Sequence, residues 1–165
     1  MATASVASAS SVEAAPYVRV IINSITIWRT QESGADEIFV KVGGPSIVPP
    51  LNVTYRVWPR AEGSISSVQS GSCVSFLASP CPSGVRAYYM RDAGPAQPVF
   101  RSSGRITVNI REEDALFSDD DVLLESFNIS PATSNATYMF RPNAGSQSGP
   151  DYQINLTVVP STTPF

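Results

Sequence analysis

Strict alternation of apolar and polar residues runs through three stretches of this chain. Residues 51–58, 105–110 and 152–158 each carry apolar side chains at every second position. Successive side chains of a strand point to opposite faces of a sheet, so this period is typical of a half-buried strand. No stretch shows a sustained period of 3.6 residues. The pattern therefore predicts a chain built from β-strands.

Eight or nine short strands are predicted, separated by segments rich in Gly, Pro, Ser and Asn. The first is long, β-branched and aromatic, with a bulge expected at Asn23 and Ser24. Residues 60–84 form a Ser/Gly/Pro-rich excursion for which no strand is predicted. The predicted strands cover residues 17–28, 38–42, 51–58, 85–91, 98–101, 105–110, a segment starting at 122, 136–141 and 152–159. Without internal repeats or a βαβ rhythm, these strands favour a single antiparallel β-sandwich.

Composition divides the chain into an N-terminal arm at residues 1–16, a β-sandwich domain at 17–160 and a C-terminal tail at 161–165. The arm lacks the basic and apolar regions of a secretion signal. It carries too little apolar surface to fold alone, so we expect it to be flexible or held by a partner. The sequence contains no apolar run of about 18 residues, so no transmembrane helix is predicted. These features do not indicate the cellular compartment, and an extracellular or virion-like assembly is one hypothesis.

An acidic run follows the strand that ends near Ile110. Seven of the 14 acidic residues lie between positions 112 and 125. Like charges at this density repel one another unless a cation lies among them. A second acidic group, formed by Glu32, Asp36 and Glu37, precedes the second predicted strand. If the two loops meet at one end of the sandwich, their carboxylates would supply the six to eight oxygen ligands that Ca²⁺ prefers.

Two segments resemble the acidic loops of C2-type calcium-binding β-sandwich domains, including the divergent bacterial C2-like domains. SGADEIFVKV is similar to the first acidic loop and its following strand, and VNIREEDALFSDDDVLL is similar to the second loop. In the second segment, acids occupy relative positions 1, 3 and 9, where the family carries Asp. The resemblance implies a C2-like fold and a Ca²⁺ site formed by Asp36, Glu37, Glu112, Asp114 and Asp120.

Composition also disfavours several functional classes. Lys41 is the only lysine, and the formal charge is −3. The chain thus lacks the cationic surface expected for nucleic-acid binding, and it lacks a polybasic patch for membrane binding. It has no His, no nucleophile motif and no glycine-rich phosphate loop, so we expect no enzymatic activity. A pair of catalytic carboxylates, as in glycosidases, is the enzymatic alternative.

The two cysteines, Cys73 and Cys81, fall in the predicted excursion. Two cysteines without a histidine cannot complete a structural zinc site. A disulfide that closes this short loop in an oxidising compartment is one interpretation. Two small buried thiols are the other.

Two functional hypotheses follow from these features. The first is a structural component of a capsid, sheath or filament, with protein partners or copies of itself around it and a Ca²⁺-stabilised acidic end. The second is a calcium-dependent binding or adhesion module. The structural hypothesis is preferred at this point, because the sequence carries no ligand-pocket motif.

Overall fold

The computed structural model describes residues 15–60, 66–76, 80–89, 94–113, 120–133 and 135–164. Within these ranges the chain forms eleven β-strands and one 3-10 turn at Pro131–Thr133. The strands are β1 (Tyr17–Arg29), β2 (Ala35–Pro45), β3 (Asn52–Trp58), β4 (Ser66–Gln69), β5 (Ser72–Ser75), β6 (Arg86–Tyr89), β7 (Val99–Arg101), β8 (Gly104–Glu112), β9 (Asp120–Ile129), β10 (Ala136–Phe140) and β11 (Asp151–Ser161).

The strands form two sheets that pack as a β-sandwich, which confirms the predicted fold class. The first sheet has the order β10-β11-β1-β5-β6, and β7 also pairs with β1. The second has the order β3-β2-β8-β9, and β4 also pairs with β2. All pairs are antiparallel except β5 with β6, which run parallel.

The core lies between the sheets and is filled by the inward positions of the alternating strands. In the first sheet, β11 contributes Tyr152, Ile154, Leu156 and Val158, all fully buried. Strands β2 and β8 contribute the facing aliphatic side chains of the second sheet. Strand β8, for example, buries one face because its apolar residues recur every second position. Removing these side chains from water is the main force that holds the sheets together.

The bulge predicted in β1 is confirmed by the register with β11. Ile22 faces Leu156, but the next pair is Ser24 with Asn155, so Asn23 is an extra residue. A bulge inserts one extra residue, so the positions whose side chains face inward move by one residue along the strand. Strand β1 therefore stays buried on both sides of the irregularity.

The predicted number of strands was too low. The excursion at 60–84 contains β4 and β5, which are four residues each. Their sequences, SSVQ and SCVS, are too short and too polar to show a hydrophobic period. They become strands because β1 and β2 offer them unpaired backbone edges. Cys73 lies in β5 and is bonded to Cys81, which decides between the two interpretations of the cysteines.

The expected N-terminal arm falls largely on residues 1–14, which lie outside the described ranges. The described chain enters the first sheet at Pro16, whose carbonyl accepts a hydrogen bond from the Ser102 amide at 3.0 Å. At the other terminus, β11 extends to Ser161, one residue beyond the predicted domain end.

The strand directions define two ends of the sandwich. We call the upper end the one where β1 and β8 finish and β2, β9 and β11 begin. At the lower end β2 turns into β3, β7 turns into β8, and β11 finishes. The two acidic segments of the sequence both lead to the upper end.

Gly44 provides a test of this packing. A methyl group added at Gly44 would lie 2.7 Å from Cδ1 and 2.9 Å from Cγ of the buried Phe100 ring. Overpacking of this kind typically costs about 1–3 kcal/mol. We expect Gly44→Ala to lower the free energy of unfolding by this amount in urea denaturation. Gly34→Ala is the matched control, because nothing lies within 4 Å of its added methyl. Equal stability of the two variants would contradict the packing described here.

Candidate functional site

The backbone brings the two acidic segments together at the upper end of the second sheet. Ile38 of β2 lies opposite Glu112, the last residue of β8. The Glu113 amide donates a hydrogen bond to the Glu37 carbonyl at 2.8 Å. Glu112 in turn lies opposite Asp120, the first residue of β9. The starts of β2 and β9 therefore flank the end of β8.

Asp36 lies inside the sandwich rather than on its rim. Its side chain is fully buried. One carboxylate oxygen accepts hydrogen bonds from the Gln31 amide at 2.7 Å and the Tyr152 hydroxyl at 2.6 Å, and the other accepts one from the Glu32 amide at 3.2 Å. A buried carboxylate needs such donors to offset its lost hydration. Asp36 thereby holds the β1–β2 loop and ties the second sheet to β11.

The β1–β2 loop is further fixed by Thr30. The Thr30 hydroxyl donates to the Glu32 carbonyl at 2.8 Å, and the Thr30 amide donates to Ser70 Oγ at 2.9 Å. The loop is therefore tied both to itself and to the neighbouring β4–β5 turn. Its position is set by short, mainly local hydrogen bonds that need no bound ligand.

Tyr152 stands between two buried carboxylates. Burial raises its pKa well above the ordinary value, and the hydrogen bond to Asp36 and the charges of Asp36 and Glu112 raise it further. Glu112 is itself only 2% exposed. The Tyr152 hydroxyl consequently stays protonated and remains a hydrogen-bond donor across the physiological pH range.

The five predicted metal ligands have different surroundings. Asp36 is buried and accepts three hydrogen bonds, whereas Glu37 is half-buried between two buried neighbours and belongs to the opposite face of β2. Asp114 and the side chain of Asp120 lie outside the described parts of the chain. Among the described residues, no group of three or more His, Cys, Asp or Glu could hold a metal ion. The donors are all oxygen, as Ca²⁺ requires, but Asp36 already has a structural role.

On the outer face of β8 and β9, one acid of the run has a cationic partner. Arg111 Nε lies 3.0 Å from Asp121 Oδ1, and Asn109 Nδ2 donates to the same oxygen at 2.9 Å. Asp121 is exposed, so the pair contributes little to stability. Its effect is to neutralise one charge of the acidic run locally.

Asp151 is a second acid at the upper end with an arginine partner. The sequence pattern did not place it in this region. Arg141 donates two hydrogen bonds to it, at 2.9 and 2.6 Å. The guanidinium also stacks over Trp28 at 4.4 Å from the ring centroid. Arg29 binds the carbonyls of Ser146 and Gly149 and holds the β10–β11 loop beside the β1–β2 loop. The spacing of these residues along the chain gives no indication of this convergence.

A cleft of 770 Å³ opens between these upper loops. Its lining is contributed by three loops and is mostly polar. The lining residues are Arg29, Thr30, Gln31, Glu32, Ser33, Gly34, Ala35, Gln69, Ser70, Gln147, Ser148 and Gly149. Arg29 and Glu32 place one charge of each sign on this lining.

No family model and no curated protein matches the chain. Among solved structures, it is similar to the C2A domain of plant Extended Synaptotagmin 1, with 8% identity, a TM-score of 0.46, and coverage of 92% of this chain and 99% of that one. It is also similar to human GIVD cytosolic phospholipase A2 in complex with methyl γ-linolenyl fluorophosphonate, with 9% identity and a TM-score of 0.45. That match covers 88% of this chain and 17% of the phospholipase chain.

These likenesses are too distant to assign the chain to a family or to transfer a ligand. The sandwich is established by its own strand order and register. In the described part of the chain, no helix is long and apolar enough to cross a membrane.

The Tyr152–Asp36 hydrogen bond can be tested by substitution. Tyr152→Phe removes the donor and leaves Asp36 buried with one partner fewer. Hydrogen bonds to charged groups contribute about 1.5–3 kcal/mol, so we expect a loss of this size in the free energy of unfolding at neutral pH. Tyr55→Phe is the control, because Tyr55 is exposed and contacts Phe100 with its ring tilted at 53°, without a carboxylate partner. Equal losses in the two variants would contradict the bridging role.

The same pair predicts the direction of the alkaline pH dependence. The folded pKa of Tyr152 is raised above the unfolded value of about 10. Its contribution to stability is therefore complete below pH of about 10 and is lost as pH rises above that value. We expect the wild type to lose more stability than Tyr152→Phe between pH of about 8 and 11. The measurement is the free energy of unfolding in urea at each pH. An identical pH dependence for the wild type and Tyr152→Phe would contradict this expectation.

Proposed function

We propose that this chain is a non-enzymatic binding or adhesion module that takes Ca²⁺ at the upper end of its β-sandwich. The observation that carries the proposal is the juxtaposition of the two acidic segments, joined by the Glu113–Glu37 backbone hydrogen bond. Acids from two separate parts of the sequence are thus concentrated at one end of a rigid sandwich. Ca²⁺ sites with flexible carboxylate loops on a rigid scaffold have this organisation.

The balance of charge at the upper end supports a bound cation. Arg111 and Arg141, the arginines that contact acids there, are engaged with Asp121 and Asp151. Six other acids with described backbone lie at the same end. The acids with described backbone at the upper end are Glu32, Asp36, Glu37, Glu112, Glu113, Asp120, Asp121 and Asp151. A divalent cation would relieve their mutual repulsion.

In this proposal the predicted ligands divide into two roles. Glu37, Glu112, Asp114 and Asp120 are the candidate ligands. Asp36 positions the β1–β2 loop through its three hydrogen bonds rather than through the metal. The binding hypothesis is preferred over the capsid, sheath or filament hypothesis, because neither the fold nor the comparisons support such an assembly role.

Calcium-dependent thermal stability tests the proposal. A cation that binds only the folded state stabilises it by RT ln(1 + [L]/Kd), about 2.7 kcal/mol at one hundred times Kd. We expect the melting temperature to rise when Ca²⁺ replaces chelator at constant ionic strength. Asp114→Asn and Asp120→Asn should each reduce this rise strongly, because each removes a candidate ligand charge.

Glu125→Gln is the matched control, since Glu125 lies in the middle of β9 opposite Val108, away from the upper end. It should keep the full calcium response. Mg²⁺ at the same concentration controls for charge screening, because Mg²⁺ demands stricter octahedral geometry. A melting temperature that does not respond to Ca²⁺, or responds equally to Mg²⁺ and in all variants, would refute the calcium site.

A further inference from the structure

Four asparagines of the chain stand in the N-x-S/T tripeptide, or sequon, that N-linked glycosylation requires. They are Asn52, Asn128, Asn135 and Asn155. Such tripeptides also arise in strands that are rich in Asn and Thr, so the pattern alone assigns no sugar. The structure separates the four by their exposure and by their position relative to the strands.

Asn52 and Asn135 border loops at the lower end of the sandwich. Asn52 is exposed and is the first residue of β3, opposite Pro45 at the end of β2. Asn135 is also exposed and immediately precedes β10, whose first residue pairs with Val158 near the end of β11. The fold therefore presents two sequons from distant parts of the sequence at the same end.

The sequon of Asn155 lies within the first sheet. Asn155 is half-buried in β11, which runs between β1 and β10, and its Nδ2 donates a hydrogen bond to Ser24 Oγ at 3.0 Å. The hydroxyl of Thr157, in the same sequon, accepts a hydrogen bond from Asn23 Nδ2 at 2.8 Å. A sugar on Asn155 Nδ2 would crowd the contacts that join β11 to the bulge of β1.

The sequon of Asn128 is exposed but is also part of a strand. Asn128 lies in the ladder of β9, opposite Arg105 of β8. Ser130 of this sequon is held in the 3-10 turn, because its amide donates to Thr133 Oγ1 at 2.8 Å and its carbonyl accepts from the Thr133 amide at 2.9 Å. Glycan acceptors are typical of surface loops, and this tripeptide is fixed by a strand and a turn.

The disulfide between Cys73 and Cys81 bears on the compartment in which the chain folds. Disulfides form and persist in oxidising environments, such as the secretory route, and are rare in the cytosol. Both cysteines of the chain are used in this bond. The enzymes that attach sugars to asparagine act in the same secretory route, so the disulfide independently supports access of these enzymes to the sequons.

Two large apolar side chains beside Asn52 are exposed. Val48 and Leu51, in the β2–β3 loop, have 62% and 61% of their surface exposed. Leu51 directly precedes Asn52, and its carbonyl accepts a hydrogen bond from the Ser46 amide at 2.8 Å, which closes the loop. A glycan is bulky and hydrophilic. One attached to Asn52 would lie beside these side chains and shield them from contact with other molecules.

We propose that Asn52 and Asn135 carry N-linked glycans and that Asn128 and Asn155 remain unmodified. The sugar comes from an oligosaccharide linked to a polyprenyl pyrophosphate and is transferred by an oligosaccharyltransferase. The asparagine Nδ2 bonds to C1 of the first sugar and loses one proton to a base of the enzyme. The C1–O bond to the pyrophosphate breaks, and the polyprenyl pyrophosphate leaves. Both glycans lie at the lower end, so the upper end with the proposed calcium site stays uncovered.

Peptide mapping of the full chain from its native source tests the proposal. Peptide N-glycosidase in heavy-oxygen water converts each glycan-bearing asparagine to a labelled aspartate, and fragment spectra of the peptides locate the label. We expect label at Asn52 and Asn135 and none at Asn128 and Asn155. A sample without glycosidase controls for spontaneous deamidation. Absence of label at Asn52 or Asn135, or label at either strand position, would overturn the proposal.

Substitution of the sequon threonines provides matched pairs in the full chain secreted from cultured eukaryotic cells. Thr54→Ala and Thr137→Ala should each remove one glycan, seen as a gain in gel mobility that glycosidase treatment abolishes. Thr54→Ser and Thr137→Ser keep the hydroxyl and should retain the glycan. Thr54 and Thr137 are both exposed, so all four variants should fold. An alanine variant that keeps both glycans would refute that site, and the readout does not depend on bound calcium.

Discussion

The hydrogen bond between Tyr152 and Asp36 is the interaction on which the upper end of this sandwich depends. It crosses from one sheet to the other in the core, at 2.6 Å, between residues 116 positions apart. Because Asp36 also accepts hydrogen bonds from the amides of Gln31 and Glu32, a single carboxylate joins the second sheet to β11 and holds the β1–β2 loop. The β1–β2 loop, which lines one side of the cleft, is therefore positioned by this buried group.

Burial divides the acids of this protein into two kinds. Asp36 and Glu112 point into the sandwich and act on Tyr152, so they serve the architecture. Glu32 and Asp121 are exposed and set the charge of the upper surface. Because successive side chains of a strand point to opposite faces, one acidic run of the sequence supplies both buried and exposed acids. Of the proposed calcium ligands, Glu112 belongs to the buried kind, whereas Glu37 is half-buried on the opposite face of β2.

The sequence pattern was most informative where strands are long and half-buried. The alternation at 105–110 and 152–158 placed β8 and β11 and their core faces, and the bulge in β1 was located correctly. It failed for β4 and β5, because four-residue strands acquire their structure from the edges they join. Asp36 was predicted as a metal ligand, and no local pattern indicates that Tyr152 donates a hydrogen bond to it.

By itself, the sequence determined the β class, the inward faces of the long strands and the concentration of acids in two segments. These are local properties, set by a two-residue period and by composition. Only the tertiary structure decided that Asp36 is buried, that Cys73 is bonded to Cys81, and that Asp151 lies at the same end as Asp36. Such contacts depend on sheet order and register, which join residues far apart in the chain, and a local period carries no information about them.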